Sequence, residues 1–196
     1  MQNKHFQRAA LAARALAACA LLLPALAGAQ AVKLTLGHGA APDNPRHLAS
    51  LKFAELVKAR SAGRIEVQVA PSAQLGDDAA MVTALRTGAL DLSANSQGAV
   101  AAAVPEYAAY GMPFLFATPA RAFQVLDGPL GRELADKSAA KGMVVLGYWD
   151  NGIRHMTNSK RPLRSVDDLK GLKMRTPPDA VLVDIIQALG AEAQQI

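Results

Sequence analysis

Val32, Leu34 and Leu36 alternate with Lys33 and Thr35, the two-residue period of a strand with one buried face, and Gly37-His38-Gly39 ends the run. Asn44-Pro45 then supplies an N-cap and a proline at the first helical position, where its missing N–H costs nothing. Ala49, Phe53, Leu56 and Val57 follow at helical spacing, up to Gly63. A second alternation at Ile65, Val67 and Val69 predicts a strand stopped by Pro71. Asp77 or Asp78 caps a helix that carries Met81, Val82 and Leu85 and ends at Gly88, and Leu90 and Leu92 open a third strand. Strands alternating with helices through short connections predict an α/β architecture, a parallel sheet covered by helices. Ligands of such sheets sit beyond the carboxyl ends of the strands, which puts residues 37–39, 74–78 and 94–97 around one crevice.

The stretch through Pro105 and Pro113 is loop-rich, after which Ala120–Leu126 and Leu130–Lys141 read as helices, the second closed by Gly142. Met143 to Trp149 is a continuous apolar run of strand length, and Asp150-Asn151-Gly152 marks a turn. The turn divides a first α/β lobe, 32–150, from a second, 151–196. In the second, Ser165 and Asp168 make a short capping-box turn ended by Gly171, Leu172–Thr176 is a strand, and Asp179–Leu189 is a helix stopped by Gly190. The sequence stops at Ile196 just as a new strand is due, so this lobe is expected to be incomplete.

The first residues carry Lys4, Arg8 and Arg14 and no acid, followed by an apolar run from Ala15 to Ala27 and then Ala29-Gln30-Ala31. That order is a secretory signal peptide, 1–31, with an apolar run too short to span a bilayer. Leu16-Ala17-Ala18-Cys19 offers a rival lipoprotein cleavage box, but Arg14 interrupts the stretch before it. Cleavage after Ala31 removes the single cysteine, and with it any disulfide, thiol nucleophile or cysteine metal site. It also removes three cations, so the whole chain's net charge of +5 falls to +2. Such a balance predicts neither a nucleic-acid partner nor insertion of the mature chain in a membrane.

Arg154 and Arg175 stand at or near the ends of apolar runs, one just after Asn151-Gly152 and the other just before Pro177-Pro178. A guanidinium presents its donors as a planar fork that grips both oxygens of a carboxylate, and two cations in one crevice call for an anion between them. Taken alone, either arginine could be an ordinary solvated surface residue, but their location at the ends of apolar runs argues otherwise. Asp78 is first a helix cap and second a crevice acid able to accept from a ligand hydroxyl. Asn95, Ser96 and Gln97 are either loop caps or groups that orient a polar ligand. Trp149 lies where a tryptophan at a lobe boundary packs a ligand, although burial in the core is the commoner fate of such a residue. His38, His47 and His155 show no ligand spacing, and Ser72, Ser93 and Ser96 sit in no G-x-S-x-G elbow, so neither a metal or other cofactor nor a hydrolase nucleophile is expected.

Several separated motifs together resemble the solute-binding proteins of tripartite ATP-independent periplasmic (TRAP) transporters, the family that includes dicarboxylate receptors of the DctP type. They are Ala54-Glu55-Leu56-Val57 with Gly63-Arg64-Ile65, Pro71-Ser72-Ala73-Gln74-Leu75-Gly76-Asp77-Asp78, Pro113-Phe114-Leu115-Phe116, Gly152-Ile153-Arg154, and Asp168-Leu169-Lys170-Gly171-Leu172-Lys173-Met174-Arg175. The resemblance implies a periplasmic-binding-protein-like fold of two lobes, each with a mainly parallel sheet flanked by helices, closing on a ligand. It implies that Arg175 pairs with the ligand carboxylate, that Arg154 assists it, and that Asp78 contacts ligand. It also implies a monomeric periplasmic receptor, without enzymatic activity, that hands a small organic acid to membrane subunits of the transporter. Family members run well beyond this length, so a truncated, non-binding fragment is one alternative. The others are an exported α/β hydrolase and a ligand-sensing partner of a membrane receptor.

Overall fold

The computed structural model of the chain describes residues 30–152, 154–177 and 179–195, so the expected leader, with Cys19, lies outside the described residues. Strand β1 (Val32–Gly37) lies at the centre of a three-stranded sheet, parallel to β2 (Ile65–Ala70) on one side and to the short β3 (Leu92–Ser93) on the other. Helix α1 (Pro45–Arg60) connects β1 to β2, and α2 (Asp78–Thr87) connects β2 to β3. The start and stop signals act as their chemistry requires. Asn44 caps α1 by accepting from the Arg46 N–H, and Gly88 ends α2 in the left-handed conformation (φ 74°) that a residue with a Cβ adopts only at a cost.

At the head of α2, Asp77 is the cap, its side chain accepting from the Ala80 N–H at 2.7 Å. Asp78 is the first helical residue and is released for another task. The apolar stripe of α1 is shallower than its spacing predicts: Phe53 and Val57 are half-buried against β2, while Ala49 and Leu56 are exposed, and the buried residue of this helix is Ser50.

Beyond β3, the stretch expected to be loop-rich holds α3 (Gln97–Ala101) and a 3₁₀ segment (Pro105–Gly111), and the two expected helices follow as α4 (Pro119–Leu126) and α5 (Pro129–Ala139). Their core joins Val82 of α2 to Ala99, Val104, Tyr107, Leu134 and Met143. The apolar run from Met143 to Trp149 forms no strand. A strand needs a hydrogen-bonding neighbour, and among the described residues none lies alongside it. Met143 and Tyr148 face the core, the Tyr148 hydroxyl lying 3.3 Å from that of Tyr107, whereas Val144 and Leu146 are 81% and 67% exposed.

The Asp150-Asn151-Gly152 turn is present: the Gly152 N–H donates to Asp150 Oδ1 at 2.9 Å, and Gly152 takes φ 78°. Beyond it, the expected capping box at Ser165 and Asp168 opens a 3₁₀ turn (Val166–Leu169). Strand β4 (Lys173–Thr176), helix α6 (Ala180–Ala188) and strand β5 (Glu192–Gln195) complete a parallel pair in which Arg175 stands opposite Gln194. Leu169, Leu172, Met174, Ile186 and Ala191 form its core.

Candidate functional site

The carboxyl ends of β1, β2 and β3 are stitched to one another. The Ala73 N–H donates to the His38 carbonyl and the Ser72 N–H to that of Ala40, tying the turn after β2 to the turn after β1. The Ala94 N–H and the Ser93 hydroxyl both reach the Gly37 carbonyl at 3.1 Å, tying β3 to the same place. The expected grouping of residues 37–39, 74–78 and 94–97 is therefore present, built from backbone bonds that parallel strands offer where their ladders stop.

Asp78 sits at the centre. Its Oδ2 accepts from both the N–H and the hydroxyl of Ser96, at 3.1 and 2.9 Å. A Cβ placed on Gly39 would lie 3.3 Å from its Oδ1. The acid thus joins α2 to the β3–α3 turn while staying half-buried. Asn95, also half-buried, has its Oδ1 2.7 Å from the Ser93 hydroxyl, and Ser96 is the N-cap residue of α3.

One pairing was invisible in the sequence. His38, fully buried, has Nε2 3.1 Å from Nδ1 of His47, and its own Nδ1 accepts from the Ala40 N–H at 3.1 Å. An acceptor at Nδ1 fixes the neutral tautomer, so the ring proton is on Nε2 and is donated to His47. Burial lowers the His38 pKa from 6.5, the charges of His47 and Arg46 lower it further, and Asp78 opposes them weakly. A separation of nine positions between the two histidines gave no hint, because a strand end and the first turn of the next helix meet only once the βα turn is folded.

Arg175 lies on the exposed face of β4, between buried Met174 and Thr176. Arg154 is exposed, and Met156, two residues on, packs on the core that contains Met174. Asp78 and Asn95 therefore share the three-stranded sheet's end, while Arg175 and Arg154 belong to the β4–β5 side. Trp149 is 47% exposed, and Tyr148 beside it is held by Tyr107. Burial first, and then the hydrogen bond with Tyr107, push the Tyr148 phenol's pKa upward.

The two sides meet at the turn after β4. Asp179 caps α6, accepting from the Leu182 N–H at 3.3 Å, and lies directly against Gly98 of α3. Helix α6 packs on the 3₁₀ segment. Two open grooves elsewhere, one lined by Ala54, Lys58 and Glu66 and the other by Phe53, Leu56 and Arg60, follow the α1–β2 edge away from these strand ends. Lys58 and Glu66 already pair with each other at 2.7 Å.

A family model described as bacterial extracellular solute-binding protein, family 7 (DctP), matches residues 36–196. The chain is 57% identical over 176 residues to the protein y4mM of Sinorhizobium fredii, covering 90% of this chain and 32% of that one. It is 34% identical over 161 residues to the 2,3-diketo-L-gulonate-binding periplasmic protein YiaO of Escherichia coli, covering 82% of this chain and 49% of that one. The crystal structure of the sugar acid binding protein DctPAm of Advenella mimigardefordensis, in complex with galactonate, superposes with a TM-score of 0.82 at 35% identity. The match covers 85% of this chain and 54% of that one. The chain thus spans between about a third and about half of the length of these relatives.

Proposed function

The chain belongs to family 7 of the bacterial extracellular solute-binding proteins, and from that premise we propose that it is the substrate-capturing part of a TRAP-type receptor for a small organic acid. The observation that carries this reading is the apposition of two strand-end turns. Asp179, at the end of the turn after β4 and four residues beyond Arg175, abuts Gly98 at the head of α3, directly after the turn where Asp78 holds Ser96. A ligand in that crevice meets cations on one side and an acid with neutral polar groups on the other.

The asymmetry selects among acids. A carboxylate belongs against Arg175, with Arg154 assisting, through bidentate charge-assisted hydrogen bonds. The far end of the ligand faces Asp78 and Asn95. A second carboxylate beside the Asp78 charge is repelled, whereas a hydroxyl can donate to it. A polyhydroxylated acid therefore suits the site better than a dicarboxylate. Asp150 to Gly152 divide the two lobes in this reading, Trp149 flanks the ligand at that boundary, and closure draws its free energy from a ligand that touches both sides. Export by the leader to the periplasm and delivery to membrane subunits belong to the same proposal, with the receptor acting as a monomer and without chemical turnover.

Isothermal titration of the purified chain with galactonate and, separately, succinate tests it. The expected result is saturable one-site binding that is tighter for galactonate and leaves the acid unchanged. Tighter binding of succinate overturns the role given to Asp78. Conversion of either acid overturns the receptor.

A further inference from the structure

Gly98 is buried, yet its backbone gives no reason for a glycine: it lies in α3 and is not among the glycines with positive φ. In such a conformation alanine is favoured over glycine. Space supplies the reason. A Cβ at position 98 would lie 2.8 Å from the Asp179 Cβ and would overlap its carboxyl group. Gly111, which closes the 3₁₀ segment, forms a second wall: a Cβ there would lie 3.1 Å from Gln97 Nε2 and 4.0 Å from Asp179 Oδ2. Because Oδ1 of Asp179 is held by the Leu182 N–H, it is Oδ2 that faces the two glycines.

We propose that Gly98 and Gly111 form a notch that receives the Asp179 carboxylate, so that these three residues position the Arg175-bearing strand end against the Asp78–Ser96 turn. Without a side chain at 98, the head of α6 seats fully on α3 and the 3₁₀ segment, and the crevice takes its width from that contact. A larger residue at 98 holds the turn after β4 away and widens the crevice on the Arg175 side. Asp179 therefore has two tasks, one local and one long-range. As a cap it starts α6, a task that a glycine performs nearly as well. As the occupant of the notch it sets the distance between two parts of the chain, and here no residue with a protruding side chain at 98 is compatible with it.

That the crevice so bounded receives an acid rests on the receptor reading above. The following measurements use no ligand and succeed or fail independently of it. Gly98→Ala, Asp179→Gly and the double variant are compared by thermal unfolding. Their inter-turn spacing is compared by the distance between nitroxides on Arg132→Cys and Gln187→Cys, with Cys19 replaced by serine. Gly98→Ala alone lowers Tm and lengthens the distance. In the Asp179→Gly background the same substitution raises Tm by about 2 °C, because helix propensity then acts unopposed, and the distance returns to that of the Asp179→Gly parent. If Gly98→Ala alone does not fold, a folded double variant supports the notch and an unfolded one overturns it. An equal stabilisation by Gly98→Ala in both backgrounds, or an unchanged distance, also overturns it.

Discussion

Ser96 spends both its backbone N–H and its hydroxyl on a single oxygen of Asp78, at 3.1 and 2.9 Å. The consequence is a fixed β3–α3 turn whose polar side chains are positioned before any ligand arrives. Hydrogen bonds to a charged acceptor contribute more than neutral ones, about 1.5–3 kcal/mol each. Asp78→Ala is expected to cost about 2–3 kcal/mol and Ser96→Ala about 1 kcal/mol. Asp78→Asn, which keeps one acceptor oxygen, falls between them. Urea unfolding of the three variants checks the order.

His38 makes the fold acid-sensitive. Its folded pKa lies below the unfolded value of 6.5, so the unfolded chain takes up a proton that the folded chain refuses. The contribution is fully present above pH 6.5 and is lost as pH falls from there toward the folded pKa, at up to about 1.4 kcal/mol per pH unit. His38→Asn retains a short polar side chain without this titration. Its unfolding free energy is expected to vary less between pH 7 and 5 than that of the wild type, measured by urea titration at each pH. Equal slopes contradict the assignment.

Thr176 carries a buried hydroxyl without a hydrogen-bond partner among the described residues. An unsatisfied buried polar group costs about 1–3 kcal/mol. Thr176→Val keeps the branched shape that a strand favours and removes the hydroxyl. A gain of about 1 kcal/mol is expected in chemical unfolding, and a loss of similar size shows that the hydroxyl has a partner.

Tyr148 is the anchor of the Met143–Trp149 run, its hydroxyl lying 3.3 Å from that of Tyr107 and 3.4 Å from the Gly131 carbonyl. Tyr148→Phe leaves the Tyr107 hydroxyl its contact with Ser138 and is expected to cost about 1 kcal/mol. In a spectrophotometric titration the wild type shows two phenols, Tyr110 and Tyr148, that ionise above the usual tyrosine range, and the variant shows one fewer.

What the sequence made legible was whatever is decided within a few residues. Asn44-Pro45, Asp179 and Gly88 mark helix ends because caps and left-handed residues act locally. The parallel sheet followed from alternation between strands and helices, because so short a crossover leaves few other arrangements. Pairing at a distance was not legible. Met143 to Trp149 has the composition of a strand, but composition does not supply a neighbour. Asp77 and Asp78 are chemically identical, and only the turn geometry decided which caps the helix and which binds Ser96. In the site, the grouping of the strand ends at residues 37–39, 74–78 and 94–97 was foreseen from strand order. The His38–His47 contact and the Gly98–Asp179 seat were not, because each joins residues whose proximity exists only after folding.

The central claim is that Arg175 anchors the carboxylate of an organic acid. It is tested most directly by thermal unfolding of the wild type and Arg175→Ala with saturating galactonate. The account predicts that galactonate raises the wild-type Tm, because a ligand that binds only the folded state stabilises it by RT ln(1 + [L]/Kd), about 2.7 kcal/mol at one hundred times Kd. It predicts no rise for Arg175→Ala. An equal rise in both proteins, or no rise in the wild type, contradicts it.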